Sequence, residues 1–148
     1  MDDEEQKVYD DIATYGWHAV NVFAEPDSPG FQYSVGFQRT FAHPEILIFG
    51  QQSAVMHGML NRIANGLRAG RRYNGGLKAE DILDGYACLF RPIPTAELSE
   101  YLGWAVWYYQ EESFAALQCI WPDRSGNYPW DPDASDELRR REPILHLG

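Results

Sequence analysis

The sequence predicts an α+β fold: one domain, with a mainly antiparallel sheet of about five strands and three main helices packed on it. Three observations predict it. Phe31 to Phe37 alternates strictly, with Phe31, Tyr33, Val35 and Phe37 on one side and Gln32, Ser34 and Gly36 on the other, the period of a half-buried strand. Met56, Met59, Leu60, Ile63 and Leu67 repeat at helical spacing and form one apolar stripe. Helices and strands do not alternate regularly along the chain, which argues against a parallel α/β sheet.

The acidic start, M-D-D-E-E, leads into a first helix ending near Tyr15. Val8, Ile12 and Tyr15 share a face, negative charge suits the helix N-terminus, and Gly16 is a natural stop. Trp17 to Ala24 reads as a strand, and the turn-rich E-P-D-S-P-G joins it to the alternating strand as an antiparallel hairpin. E-I-L-I-F-G at 45–50 is a continuous apolar run, expected to be a central strand buried on both faces. Ser53 is placed to cap the striped helix, which runs to about Ala69, and Gly58 and Gly66 weaken that helix. A short helical turn is expected near Ala79 to Leu83 and a strand over Tyr86 to Pro92. The last long helix opens at Thr95, with Leu98, Tyr101, Leu102, Ala105, Tyr108 and Tyr109 at helical spacing. A fifth strand spans Phe114 to Trp121. From Pro122 the composition turns to Pro, Gly, Asp and Ser, typical of a loop or tail.

A chain of 148 residues fits one domain. The net charge of −10 selects against nucleic acid, whose affinity comes from Lys and Arg on phosphates, and favours cationic partners. Cys88 and Cys119 lie in apolar runs and make neither a disulfide framework nor a zinc knuckle. That usage suits a reducing compartment. No signal-like start and no stretch of ~20 apolar residues is present, so the expectation is a cytoplasmic protein without membrane contact.

Several motifs together, G-W at 16–17, F-Q-Y-S-V-G-F at 31–37, H-P-E-I-L-I-F-G at 43–50 and W-P-D-R-S-G-N-Y-P-W at 121–130, make the chain resemble the bacterial domain of unknown function 4262 family, over roughly Ile12 to Pro143. It departs at Ser34 and Phe37, where Thr and Leu are usual. The resemblance implies no activity and no catalytic residue.

Signatures of phosphate loops, dinucleotide sites, zinc proteases and serine hydrolases are absent. His43 and Glu45, in F-A-H-P-E, are candidates for a general acid/base pair; the competing reading is a ring that hydrogen-bonds a loop carbonyl. Trp121, Tyr128 and Trp130 lie in a polar turn-rich segment with Asp123, Asp131 and Asp133. They either pack on the domain or form a recognition surface. The aspartates lack calcium-loop register. Arg71 and Arg72, with Arg68 and Lys78, flank a glycine-rich turn that could hold phosphate or simply end a helix. Trp104, Trp107 and Tyr108 share a helix face that is either core or an exposed aromatic patch. His18, His57 and His146 stand apart, and no metal or cofactor is expected.

Two function classes follow. One is a protein-binding module, for example an immunity-type inhibitor masking a basic toxin or enzyme, acting through an acidic and aromatic surface. The other is a small hydrolytic enzyme whose pocket is lined by Tyr33, His43, Glu45 and the Trp121–Trp130 loop. The expected partner is another protein, basic in character, with a small ligand as the alternative.

Overall fold

A computed structural model describes residues 1–145; His146, one of the scattered histidines, lies outside them. The chain forms α1 (Asp3–Tyr15), β1 (His18–Val22), β2 (Phe31–Val35), α2 (Phe37–Phe41), β3 (Glu45–Phe49), α3 (Ser53–Arg68), β4 (Lys78–Leu83) and β5 (Tyr86–Pro92). A 3-10 turn (Thr95–Glu97), α4 (Leu98–Tyr101), α5 (Gly103–Tyr109), β6 (Ala116–Ile120) and α6 (Asp136–Arg141) complete it. The strands make one six-stranded sheet in the order β1-β2-β3-β6-β5-β4. Every neighbouring pair is antiparallel except β3 and β6.

The sheet separates two apolar layers. On one face α3 lays Met56, Met59, Leu60, Ile63 and Leu67 against Ile46, Ile48, Phe90 and Cys119. On the other, α1, α4 and α5 cover Tyr33, Val35, Leu47 and Phe49. β3 and β6 are buried along their whole length, because each contributes side chains to both layers. The continuous apolar run at 45–50 therefore has the central place its composition predicts.

Local chemistry explains the ends of α1. Asp2 accepts from the Glu5 amide at 2.8 Å while the Glu5 carboxylate accepts from the Asp2 amide at 3.0 Å, a reciprocal capping box. Gly16, at φ +89°, donates its amide to Ile12 O and ends the helix. Val8 is buried, but Tyr15 is 61% exposed and does not join the core stripe.

Five expectations are corrected. Lys78–Leu83 is a strand, not a helical turn, because Asp84–Gly85 closes a two-residue hairpin onto Tyr86; Asp-Gly is a strong hairpin signal. The alternating segment leaves the sheet at Gly36, and Phe37 starts a short helix. Ser53 is the first residue of α3 and Gln52 its cap, with no side-chain cap bond. The long helix from Thr95 is broken at Leu102 (φ −112°, ψ 50°), and the Trp104 amide donates to Tyr33 Oη at 2.9 Å, so the break leaves that donor satisfied. Last, the segment after Pro122 carries α6.

That segment packs on the domain. Trp121 is buried and donates its indole N–H to Phe49 O at 2.7 Å. Arg141 lies over its ring, 5.2 Å from the centroid, and donates to Gly50 O. Gln118, in β6, donates to Pro143 O at 2.7 Å and accepts from the Leu145 amide at 3.1 Å.

Candidate functional site

The residues singled out in the sequence lie in different places. His43 is buried. Its Nδ1 is 2.8 Å from Pro44 O, and its Nε2 is 2.7 Å from Tyr73 O and 3.0 Å from the Tyr73 amide. The ring thus faces two backbone carbonyls and one backbone amide, of which a neutral imidazole donates to one carbonyl only, and burial lowers the ring's pKa. Glu45 is wholly buried. Its Oε1 accepts from the Ser34 hydroxyl at 2.8 Å and the Phe37 amide at 3.0 Å; its Oε2 accepts from the Gln38 amide at 2.9 Å, the Gly36 amide at 3.3 Å and the Tyr109 hydroxyl. Burial pushes its pKa up, and these hydrogen bonds pull the other way. The carboxylate thus holds the amides that open α2. His43 and Glu45 make no hydrogen bond to each other.

Tyr33 is buried beneath the α4–α5 break, its pKa pushed up to about 12 by burial. Trp121 stands beyond the opposite end of β3 from Glu45, beside Phe49. Asp123 accepts from the Ser125 and Asn127 amides, both at 2.9 Å, and shapes its own turn. Tyr128 and Trp130 stack at 5.4 Å with planes 9° apart, Arg91 lies over Trp130, and Tyr128 Oη donates to Ala87 O. Arg71 pairs with Asp81 at 2.6 Å, and Arg72 donates to Phe41 O and Ala42 O.

A cleft assembles elsewhere, from segments that the sequence does not bring together. It measures about 760 Å³ and runs along β1, between the last turns of α1 and the exposed side of α3. One wall is α1, with Lys7, Asp11 and Tyr15. The other is α3, where Ser53, His57 and Asn61 stand one turn apart. The floor is β1 and the adjoining Gln32 of β2.

The groups in the cleft are arranged in pairs. Asp11 Oδ2 lies 2.7 Å from His18 Nδ1 and 3.2 Å from Lys7 Nζ. Burial raises the Asp11 pKa, but hydrogen bonds from His18 and Lys7 outweigh it and hold it below the ordinary value. His57 stacks on Trp17 with ring centroids 5.9 Å apart. Gln32 donates to Asn21 Oδ1 at 2.9 Å and to Ser53 O at 3.1 Å. Its buried amide oxygen has no hydrogen-bond partner among the described residues. Arg68 donates to Tyr15 O and Asn65 Oδ1, tying the end of α3 to the end of α1 and closing one end of the cleft. At the other end Phe23 is 77% exposed.

Of these groups the sequence shows His18 and His57 as isolated residues, Arg68 within the basic cluster and Gln32 within F-Q-Y-S-V-G-F, none of them tied to the others. Asp11, Asn21 and Asn61 carry no motif. The usable signal is the seven-residue step from Asp11 to His18 across the helix stop at Gly16, which folds a helix carboxylate back onto the first strand.

Among the described residues no group of three or more His, Cys, Asp or Glu side chains is placed to hold a metal ion. No helix among them is long and apolar enough to cross a membrane. No curated protein and no solved structure matches the chain. The motifs at 16–17, 31–37, 43–50 and 121–130 do find their family: the chain belongs to the family named domain of unknown function DUF4262, which matches residues 11–135.

Proposed function

We propose that this domain is a recognition module and that the cleft along β1 is its binding site. The observation that carries the reading is the cleft itself. Its volume of about 760 Å³ is in the range of ligand sites, roughly 300–1,000 Å³. Its lining combines aromatic surface from Trp17 and Phe23 with imidazole, carboxylate and amide groups, the mixture that gives a binding site both affinity and orientation. The net charge of −10 favours a basic partner and steers its approach. An immunity-type inhibitor of a basic toxin or enzyme is one such case.

The test is a titration of the isotope-labelled chain with small aromatic and peptide fragments, followed by amide chemical shifts. Shifts should cluster at Trp17, Ala19, His57 and Asn61, and His57→Ala should weaken them without lowering the melting temperature. Shifts that cluster around Tyr128 and Trp130, or at no common place, would overturn the assignment.

A hydrolytic reading has one observation in its favour. Asp11 and His18 lie 2.7 Å apart on the cleft wall, an arrangement in which a carboxylate orients an imidazole as a general base. Ser53 lines the same cleft, but its hydroxyl makes no hydrogen bond to either histidine, so the nucleophile in this reading is water. Ester or amide turnover that vanishes in His18→Ala would favour it over simple recognition.

A further inference from the structure

The two edges of the sheet are built differently. β4, at one edge, alternates charge into its solvent side with Lys78 and Glu80, adds Asp81, and shifts register between Ala79 and Leu83. Charges and irregularities are the devices that stop an edge strand from pairing with another chain. β1, at the other edge, reads His18-Ala-Val-Asn-Val22. It has no Lys, no acidic residue, no proline and no register shift against β2. None of its residues is buried, and among the described residues no strand pairs with its outer side.

The cleft runs along that open edge. Successive side chains of β1 point to opposite faces: Ala19 packs with the α3 layer and Val20 with the α1 layer. A strand laid beside β1 would follow the same alternation. Its residues on the α3 side would meet Trp17, Ala54 and His57, an aromatic and apolar wall; those on the other side would meet Asp11 and His18.

We propose that β1 receives an extended peptide segment of a partner as a seventh strand of the sheet, with apolar side chains at every second position. The inference rests on the cleft being the binding site and names what fills it. Main-chain hydrogen bonds to β1 would supply affinity, and the walls would supply specificity. Five residues of edge span about 17 Å, enough for a short linear segment of a partner. The net charge of −10 disfavours a strongly acidic partner at long range, while the lining itself, with Lys7 and Arg68 against a paired Asp11, calls for an apolar segment. A second copy of this chain is disfavoured by shape. β1 lies recessed between the walls of α1 and α3, and two recessed edges placed face to face keep their strands apart.

The experiment selects phage-displayed random nonapeptides on the immobilised full chain. The best binder is then synthesised with each backbone amide methylated in turn. Strand addition predicts a period of two: methylation at alternate positions lowers affinity by about ten-fold or more, roughly one lost main-chain hydrogen bond, and positions between them change little. Amides in β1 gain protection from hydrogen exchange. Ala54→Arg, on the exposed α3 wall, abolishes binding with no change in melting temperature. Failure to enrich any peptide, a methylation scan without that period, or a concentration-dependent dimer that protects the β1 amides would each overturn the proposal. If fragments still shift Trp17 and His57 in those cases, the cleft remains the binding site and only the strand is lost; if they do not, both readings fall.

Discussion

Tyr73 places its hydroxyl where a side chain on Gly66 would have to stand: a Cβ at position 66 falls on Tyr73 Oη, while one at Gly58 meets nothing within 4 Å. Both glycines sit inside α3 and cost it helix propensity, but only one of them is required. Gly66→Ala should lower stability by about 1–3 kcal/mol, the cost of overpacking, and Tyr73→Leu should shrink that cost. Gly58→Ala should raise stability by up to about 1 kcal/mol. Urea melts of the natural sequence, the three single variants and the Gly66→Ala/Tyr73→Leu double variant check this; equal effects at the two glycines would contradict it.

Replacing Glu45 by Gln keeps the size of the side chain and breaks its chemistry. The carboxylate accepts five hydrogen bonds, three of them from backbone amides of Gly36, Phe37 and Gln38 that cannot turn away. An amide nitrogen facing such donors leaves them unsatisfied. Hydrogen bonds to a charged group contribute about 1.5–3 kcal/mol each, so Glu45→Gln should cost on the order of 2–4 kcal/mol. Denaturant unfolding measures it, and a loss below about 1 kcal/mol would show that α2 does not depend on the carboxylate.

His43 separates a structural from a catalytic role in a single variant. Its ring joins Pro44 O to the backbone of Tyr73 from within the core. His43→Ala should therefore lower stability by about 2–3 kcal/mol, through lost packing and an orphaned amide. A protein with an unchanged melting temperature and altered function would refute this.

Glu142 and His43 should pull stability in opposite directions between mildly acid and neutral pH: burial lowers the His43 pKa, so its contribution rises with pH through the ordinary imidazole range, while that of Glu142 falls. Glu142 is buried with one donor, the Trp121 amide at 2.7 Å from Oε1, and burial pushes its pKa well above 4.5. The folded state then binds more protons than the unfolded state above pH 4.5. The contribution is complete below that value and is lost as pH rises through the folded pKa, with a slope of at most about 1.4 kcal/mol per pH unit for one proton. Glu45, also raised by burial, acts in the same direction. Asp11 acts oppositely in a lower window: its pKa lies below 3.8, so its stabilisation is present above 3.8 and lost as pH falls through the folded value. From about pH 5.5 to 7.5 the urea midpoint should fall less, or rise more, in Glu142→Gln than in the natural sequence. An unchanged difference would exclude Glu142 as the group responsible.

Much of the fold is legible because local signals agree with burial. The acidic start and Gly16 bound α1, the stripe from Met56 to Leu67 orients α3, and the apolar run at 45–50 is central. β4 escapes because A-E-D-I-L has mixed periodicity, and its identity comes from the Asp84–Gly85 turn and from pairing with β5. The cleft escapes for a deeper reason. Whether β1 lies at an edge depends on strand order, and that order depends on where β6 enters the sheet, a contact between residues 45–47 and 116–118. Asp11, His18, His57 and Asn61 become one site only after that long-range choice is made.

β6 has a further consequence, for synthesis. It is the last strand to be made, yet it stands between β3 and β5. Without β6 the pairings β1-β2-β3 and β4-β5 share no strand, and β3 and β5 each lose a neighbour at one edge. Such edges are where incomplete chains adhere to one another. A chain truncated before Ala116 should therefore aggregate more readily than the full sequence, which light scattering of the two at equal concentration would measure.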